Sequence, residues 1–168
     1  MSKFNVKMLA TLGVLTAMEI VLSRFLSISA WNIKIGFSFV PIVLAAMLYG
    51  PLPAAIIAAL GDFLGALLFP IGPYFPGFTL TAFLTGAVFG AFLKKERGVR
   101  NTIAAVFLVQ FVLSLLLNTF WIHVLYRSPF VPLLGTRLLQ TALLCVVQFV
   151  TIRALSRMAS RLERGVAV

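Results

Sequence analysis

Acidic side chains are scarce in this chain. Its 168 residues include four, Glu19, Asp62, Glu96 and Glu163, against fourteen Lys and Arg. Cysteine and histidine occur once each. The single Cys145 excludes a disulfide framework within the chain and any multi-cysteine metal site. Set in the apolar run "LLCVV", it reads as a small buried hydrophobe. His123 lies beside Trp121 and Tyr126 with no nucleophile or metal-ligand partner, the pattern of an interfacial anchor rather than a catalytic group. No GxxxxGKS or GxxxxGKT loop, HExxH or GxSxG motif is present. That inventory offers no catalytic residue and no metal or cofactor ligand set. An intramembrane enzyme is the weakest reading, and ATP hydrolysis by this chain is excluded.

Apolar residues fill the space that charge leaves. The chain is 61% hydrophobic and 11% charged, with a mean hydropathy of +1.09. A soluble domain of this length needs far more polar surface, so the composition is that of an integral membrane protein. The net charge of +10 would suit nucleic acid in a soluble protein. Here the cations fall before, between or after apolar runs, without interleaved aromatics. That placement argues for anionic membrane lipids or an acidic partner and against nucleic acid. Lys3 and Lys7 precede an apolar stretch, but Glu19 interrupts it and no small-x-small cleavage site follows. The segment reads as a retained first span, not a signal peptide.

About 20 apolar residues cross a bilayer as a helix. Dividing the chain at its proline, glycine and charged turn signals predicts six spans, at 5–27, 36–50, 52–69, 76–93, 102–124 and 132–154. The loops between them include "SISAWNIK", "PIGPYFP", "KKERGVRN" and "YRSPFVP". Ten of the fourteen cations lie at the N-terminus, in the 94–100 loop or in the tail. Arg24, Lys34, Arg127 and Arg137 lie at the opposite ends of the spans. The asymmetry predicts that both termini are cytoplasmic. The expected fold is an all-α membrane protein, a compact bundle of six transmembrane helices forming one domain over residues 1–168.

Two carboxylates fall at membrane depth, Glu19 and Asp62. An ionised side chain there costs roughly 2.5–3.5 kcal/mol on insertion scales unless it is paired or faces a polar cavity. Asp62 shares a helical face with Ala55, Ala58, Gly65 and Phe69. Two readings of that cramped face stay open. Either small residues admit a neighbouring helix and Asp62 pairs with Arg24 or Arg137, or they leave a pocket with Asp62 on its wall.

On the fifth span Gln110, Ser114, Asn118 and Trp121 step by four, four and three into one polar stripe. Arg137, Thr141, Gln148 and Thr151 follow a similar course on the sixth, with Gln140 adjacent. The polar weight of Asn118, Trp121, Arg137 and Gln140 gathers near the outer ends, where Arg24 and Lys34 also lie. Basic groups around an aromatic-lined hollow suit an anionic ligand with a flat ring. An ion or proton path would instead need carboxylates spaced through the depth, and only two are available. On the first span Ala10, Gly13 and Ala17 line one face. Such a groove permits close helix packing, within the bundle or against another membrane subunit. Glu19 lies on the other side of that helix and faces the bundle if the groove faces outward.

The six short spans, the small-residue face of the first, and the block "GPLPAAIIAALGDFLGALLFPIGPYFPGFTLTAFLTG" (50–86) resemble the substrate-binding S components of energy-coupling factor (ECF) transporters. Within that group, "GDFLGALLFPIGPYFPGFTLTAF", "LLNTFWIHVLY", "LLGTRLLQ" and "VLSRFLSI" are similar to the folate-specific members. The resemblance implies a multi-pass protein of the bacterial cytoplasmic membrane that captures folate outside as its transported ligand and uses no cofactor. It implies docking on a transmembrane coupling subunit bearing two ATPases, and toppling in the membrane to release the vitamin inside. The face of Ala10, Gly13 and Ala17 would contact the coupling subunit, with glycine where the family pattern is alanine-rich.

For the ligand, the implied set is Arg24, Lys34 or Arg137 against its negative charge, with Trp121, Phe75 and Tyr74 flanking its rings. Asn118, Gln140 and Asp62 would read the pterin edge, a carboxylate suiting adjacent ring N–H and amino donors because it accepts two bonds at once. "SISAWNIK" and "PIGPYFPG" would form the outer lid, proline fixing the backbone and glycine permitting tight bends. The alternatives are an S component for another vitamin, such as thiamine or pantothenate, and a small self-sufficient carrier or channel. Four outer cations favour an anion over cationic thiamine.

Overall fold

A computed structural model describes residues 6–30 and 33–166, with side chains for 6–28 and 35–158. Six helices follow one another: α1 (Val6–Arg24), α2 (Phe39–Tyr49), α3 (Pro51–Leu68), α4 (Pro76–Leu93), α5 (Val99–Tyr126) and α6 (Phe130–Val166). Their limits follow the turn chemistry. Pro51 and Pro76 open α3 and α4, where the missing N–H costs nothing. Gly50, at φ +97°, makes the reversal between α2 and α3. Arg127, at φ 50°, ends α5.

The fold is the expected helical bundle, with one short ribbon added. Part of "SISAWNIK" is a two-stranded ribbon, β1 (Ile28–Ala30) antiparallel to β2 (Ile33–Ile35), with Ile28 opposite Ile35. The β-branched isoleucines at 28, 33 and 35 favour extended backbone. This hairpin marks one end of the bundle. At the other end, Lys94 Nζ donates to Leu48 O at 2.6 Å and Arg97 Nη2 to Met47 O at 3.2 Å. Both cations thereby cap the free carbonyls at the end of α2. Arg153 Nη1 on α6 donates to Arg97 O at 2.7 Å, completing a basic end.

A correction concerns the span expected at 36–50. Among the described residues five helices are long and apolar enough to cross a membrane, as a multi-pass membrane protein requires, and α2 is not one of them. Its 11 residues rise about 16 Å, roughly half of a ~30 Å hydrocarbon core. Because its carbonyl end is pinned at the basic end, α2 stops part-way. It is apolar on all sides and buried accordingly, with Val43, Ala45 and Ala46 fully inaccessible. Around it pack Leu12, Ile57, Phe89, Val106 and Ile152. Gly86 and Gly90 let α4 lie directly on the main chain of Ala54 and Pro51, where a Cβ has no room. Leu9, Leu67, Leu139 and Val146 point outward, as lipid-facing residues do.

The middle of α5, Leu108–Leu117, is wound as a π-helix. Its hydrogen bonds run i→i+5, so each turn takes more residues than an α-turn.

Candidate functional site

Where α2 stops, the hairpin half of the bundle is hollow. A cavity of about 410 Å³ opens there, within the ~300–1,000 Å³ of small-molecule sites. All six helices contribute to its wall, and residues 71–75 of the α3–α4 loop close over it. The Phe75 ring is tilted against Trp121 at a centroid distance of 5.6 Å. Tyr74 stands edge-on to Phe63 at 5.7 Å, and Phe69 edge-on to Phe25 at 4.9 Å. These contacts dock the loop on α3, on α5 and on the residue that follows α1.

On the α1–α3 side, the cramped face of α3 is open toward α1. Gly61 lies against the Glu19 carboxylate and Gly65 against the Arg24 guanidinium. A side chain at either glycine would collide with these groups, so their absence is what lets two charged residues sit between the helices. Arg24 Nη2 stands 3.9 Å from Asp62 Oδ1 and donates to the Asp62 main-chain carbonyl at 3.3 Å. Thr79 Oγ1 donates to Asp62 Oδ2 at 2.8 Å, and Tyr74 OH is 3.2 Å from Thr79 Oγ1. The two sequence readings of Asp62 therefore both hold: it pairs with Arg24, and it lies on the cavity wall.

On the α5–α6 side, Gln110, Ser114 and Asn118 all line the cavity. Steps of four keep them in line through the π-turns. α-Winding resumes at Asn118, and a further step of three then rotates the next position away by about 60°. Trp121 accordingly leaves the stripe and does not line the cavity. It stands behind Phe75, and its Nε1 donates to Thr81 Oγ1 at 3.0 Å. Across from them, Arg137 is 6% exposed. Its Nη2 donates to Ser114 O at 3.1 Å; among the described residues its Nε has no hydrogen-bond partner and it forms no ion pair. An isolated cation buried at membrane depth is costly, and it persists where something else compensates it.

A family model described as "ECF transporter, substrate-specific component" matches residues 7–156. This chain belongs to that family. The S component is 37% identical over 164 residues to the folate transporter FolT of Clostridium novyi (strain NT), covering 97% of this chain and 94% of its relative. It is 32% identical over 128 residues to FolT of Leuconostoc mesenteroides subsp. mesenteroides, covering 75% and 69%. It also resembles a solved FolT structure bound with folic acid, with a TM-score of 0.87 at 35% identity, over 92% of this chain and 95% of that one. The family is a transporter component and not an enzyme.

Of the residues singled out in the sequence, Arg24, Asp62, Tyr74, Phe75, Asn118, Arg137 and Gln140 line the S component's cavity. Trp121 supports it from behind, and the Lys34 side chain lies outside the described residues. Ala10, Gly13 and Ala17 are exposed on the outer face of α1, and Glu19 is buried on the other side, as their spacing predicts. The sequence reading left Glu19, Gln110, Thr79 and Gln148 out of the site. Gln110 and Gln148 already stood on the two polar stripes. Thr79 carried no sequence signal, since only its distance to Asp62 reveals it.

Proposed function

We propose that this S component binds folate in the cavity of its hairpin half and delivers it inward with an ECF coupling subunit and two ATPases. The observation that carries the reading is Arg137, a buried cation with no ion-pair partner among the described residues, on the wall of a polar, aromatic-lined cavity. A ligand carboxylate supplies the charge it lacks. Arg24, already shared with Asp62, and Lys34 would take the second carboxylate. Phe75 and Tyr74 would flank the rings with Trp121 behind them, and Asn118 and Gln140 would bond the ligand between its carboxylates and its heterocycle. Asp62 positions Arg24 and Thr79, and its carboxylate keeps acceptor capacity toward the cavity it lines. The folate transporters and the folic acid complex to which this chain is similar support the choice of ligand.

The basic end then faces the cytoplasm, with both termini inside, in keeping with the positive-inside rule. The exposed Ala10, Gly13 and Ala17 face docks the coupling subunit. A thermal-shift panel of vitamins on the purified chain tests this function. Folic acid is expected to raise the Tm, and stabilisation by thiamine but not by folic acid would refute the reading.

A further inference from the structure

The deep end of the cavity differs from its mouth. Arg24 and Arg137 both lie toward the hairpin end. On α6, Gln148 follows Arg137 by eleven residues, a rise of about 16 Å toward the basic end. On α5, Gln110 precedes Asn118 by eight residues and so lies on the same side of it, toward the basic end. The π-wound segment of α5 packs on α6, and both glutamines line the cavity, at its floor nearer the basic end. Gln110 is 2% and Gln148 5% exposed. The Oε1 atom of each is buried without a hydrogen-bond partner among the described residues.

A carboxamide left unsatisfied amid apolar side chains is destabilising, and leucine or methionine would fill the same volume without that cost. The neighbouring Thr85 hydroxyl is already used on the Thr81 carbonyl at 2.9 Å. Glu19 lies nearer the floor than Arg24 by five residues of α1, so a ligand carboxylate is disfavoured as the leading end. What the floor suits is an uncharged flat ring carrying both donors and acceptors on one edge. Each carboxamide offers one of each kind of group.

We propose that Gln110 and Gln148 form an amide floor that sets specificity by hydrogen-bonding the edge of the ligand's neutral heterocycle. This rests on the folate reading, in which that heterocycle is the pterin. The test uses the full chain in detergent with three probes: folic acid, pteroic acid (the ring end without the glutamate) and 4-aminobenzoylglutamate (the tail without the ring). Gln110→Met and Gln148→Met keep length and volume and remove the amide. Each is expected to weaken folic acid and pteroic acid by the same factor, about tenfold or more, with 4-aminobenzoylglutamate unchanged. The ligand-free Tm is expected to hold or rise.

Folded variants that bind folic acid like the parent overturn the floor, and so does an equal loss for 4-aminobenzoylglutamate. If the methionine variants fail to fold, Gln110→Asn and Gln148→Asn, which withdraw the amide by one methylene, are judged by the same pattern. A parent chain that binds no folic acid overturns the folate reading instead. The floor is then judged on whichever vitamin stabilises the chain, and it falls if the methionine variants leave that affinity unchanged.

Discussion

Arg24 meets Asp62 twice, through the carboxylate at 3.9 Å and through the main-chain carbonyl at 3.3 Å. The carboxylate contact is long, and the side chains keep 10% and 25% of their exposure. The length of the contact, not solvation, keeps the pair's contribution small, at about 1 kcal/mol. Asp62→Asn and Arg24→Gln are each expected to lower the ligand-free Tm by roughly 2–4 °C. The double variant should fall no further than the worse single one. Thermal unfolding of the four proteins checks this, and strictly additive losses would show that the two residues do not act together.

Arg137 should behave in the opposite way without ligand. Arg137→Gln removes a buried charge with no ion-pair partner among the described residues, so the ligand-free Tm is expected to stay or rise. Folic acid affinity should fall by about 30-fold or more, the loss of a desolvated charge pair. Calorimetric titration beside a melting curve separates the two effects. A variant that loses stability and affinity together would mark Arg137 as structural.

Trp121 stands behind Phe75 and outside the cavity. Trp121→Phe keeps an aromatic ring there and loses the Nε1 bond to Thr81, worth about 1 kcal/mol of stability. Its effect on folic acid affinity is expected to be smaller than that of Phe75→Ala. Titration of the two variants in parallel decides it, and the reverse order would place the indole in contact with ligand.

Gly13 has no atom within 4 Å of where its Cβ would stand. Gly13→Leu is therefore expected to leave melting temperature and folic acid binding unchanged. If the groove docks the coupling subunit, the same variant should abolish ATP-driven folate uptake in proteoliposomes containing the complete transporter. Uptake at the parent rate would move the docking surface elsewhere.

Much of the architecture was legible in the sequence because its causes are local. Apolar runs, Pro51, Pro76 and Gly50 delimit helices without reference to neighbours, and the predicted span at 76–93 coincides with α4. The spacing of Ala10, Gly13, Ala17 and Glu19 shows which faces of α1 are opposed. Depth was less legible. Residues 36–50 looked like a short span, and only the capping of Met47 and Leu48 by Arg97 and Lys94 shows that α2 is pinned at one end and leaves the other half of the bundle hollow.

The sequence alone determined a membrane-embedded helical bundle with basic groups at both of its ends, two carboxylates at depth and two polar stripes, in a chain that resembles ECF S components. Tertiary structure decided which of those groups share a cavity. The π-winding of Leu108–Leu117 keeps Gln110, Ser114 and Asn118 on one wall and turns Trp121 away, and two glycines on α3 make room for Glu19 and Arg24. Helix formation depends on residues a few positions apart. The direction in which a polar side chain points depends on helix winding and on the neighbouring helix, and both are set by packing.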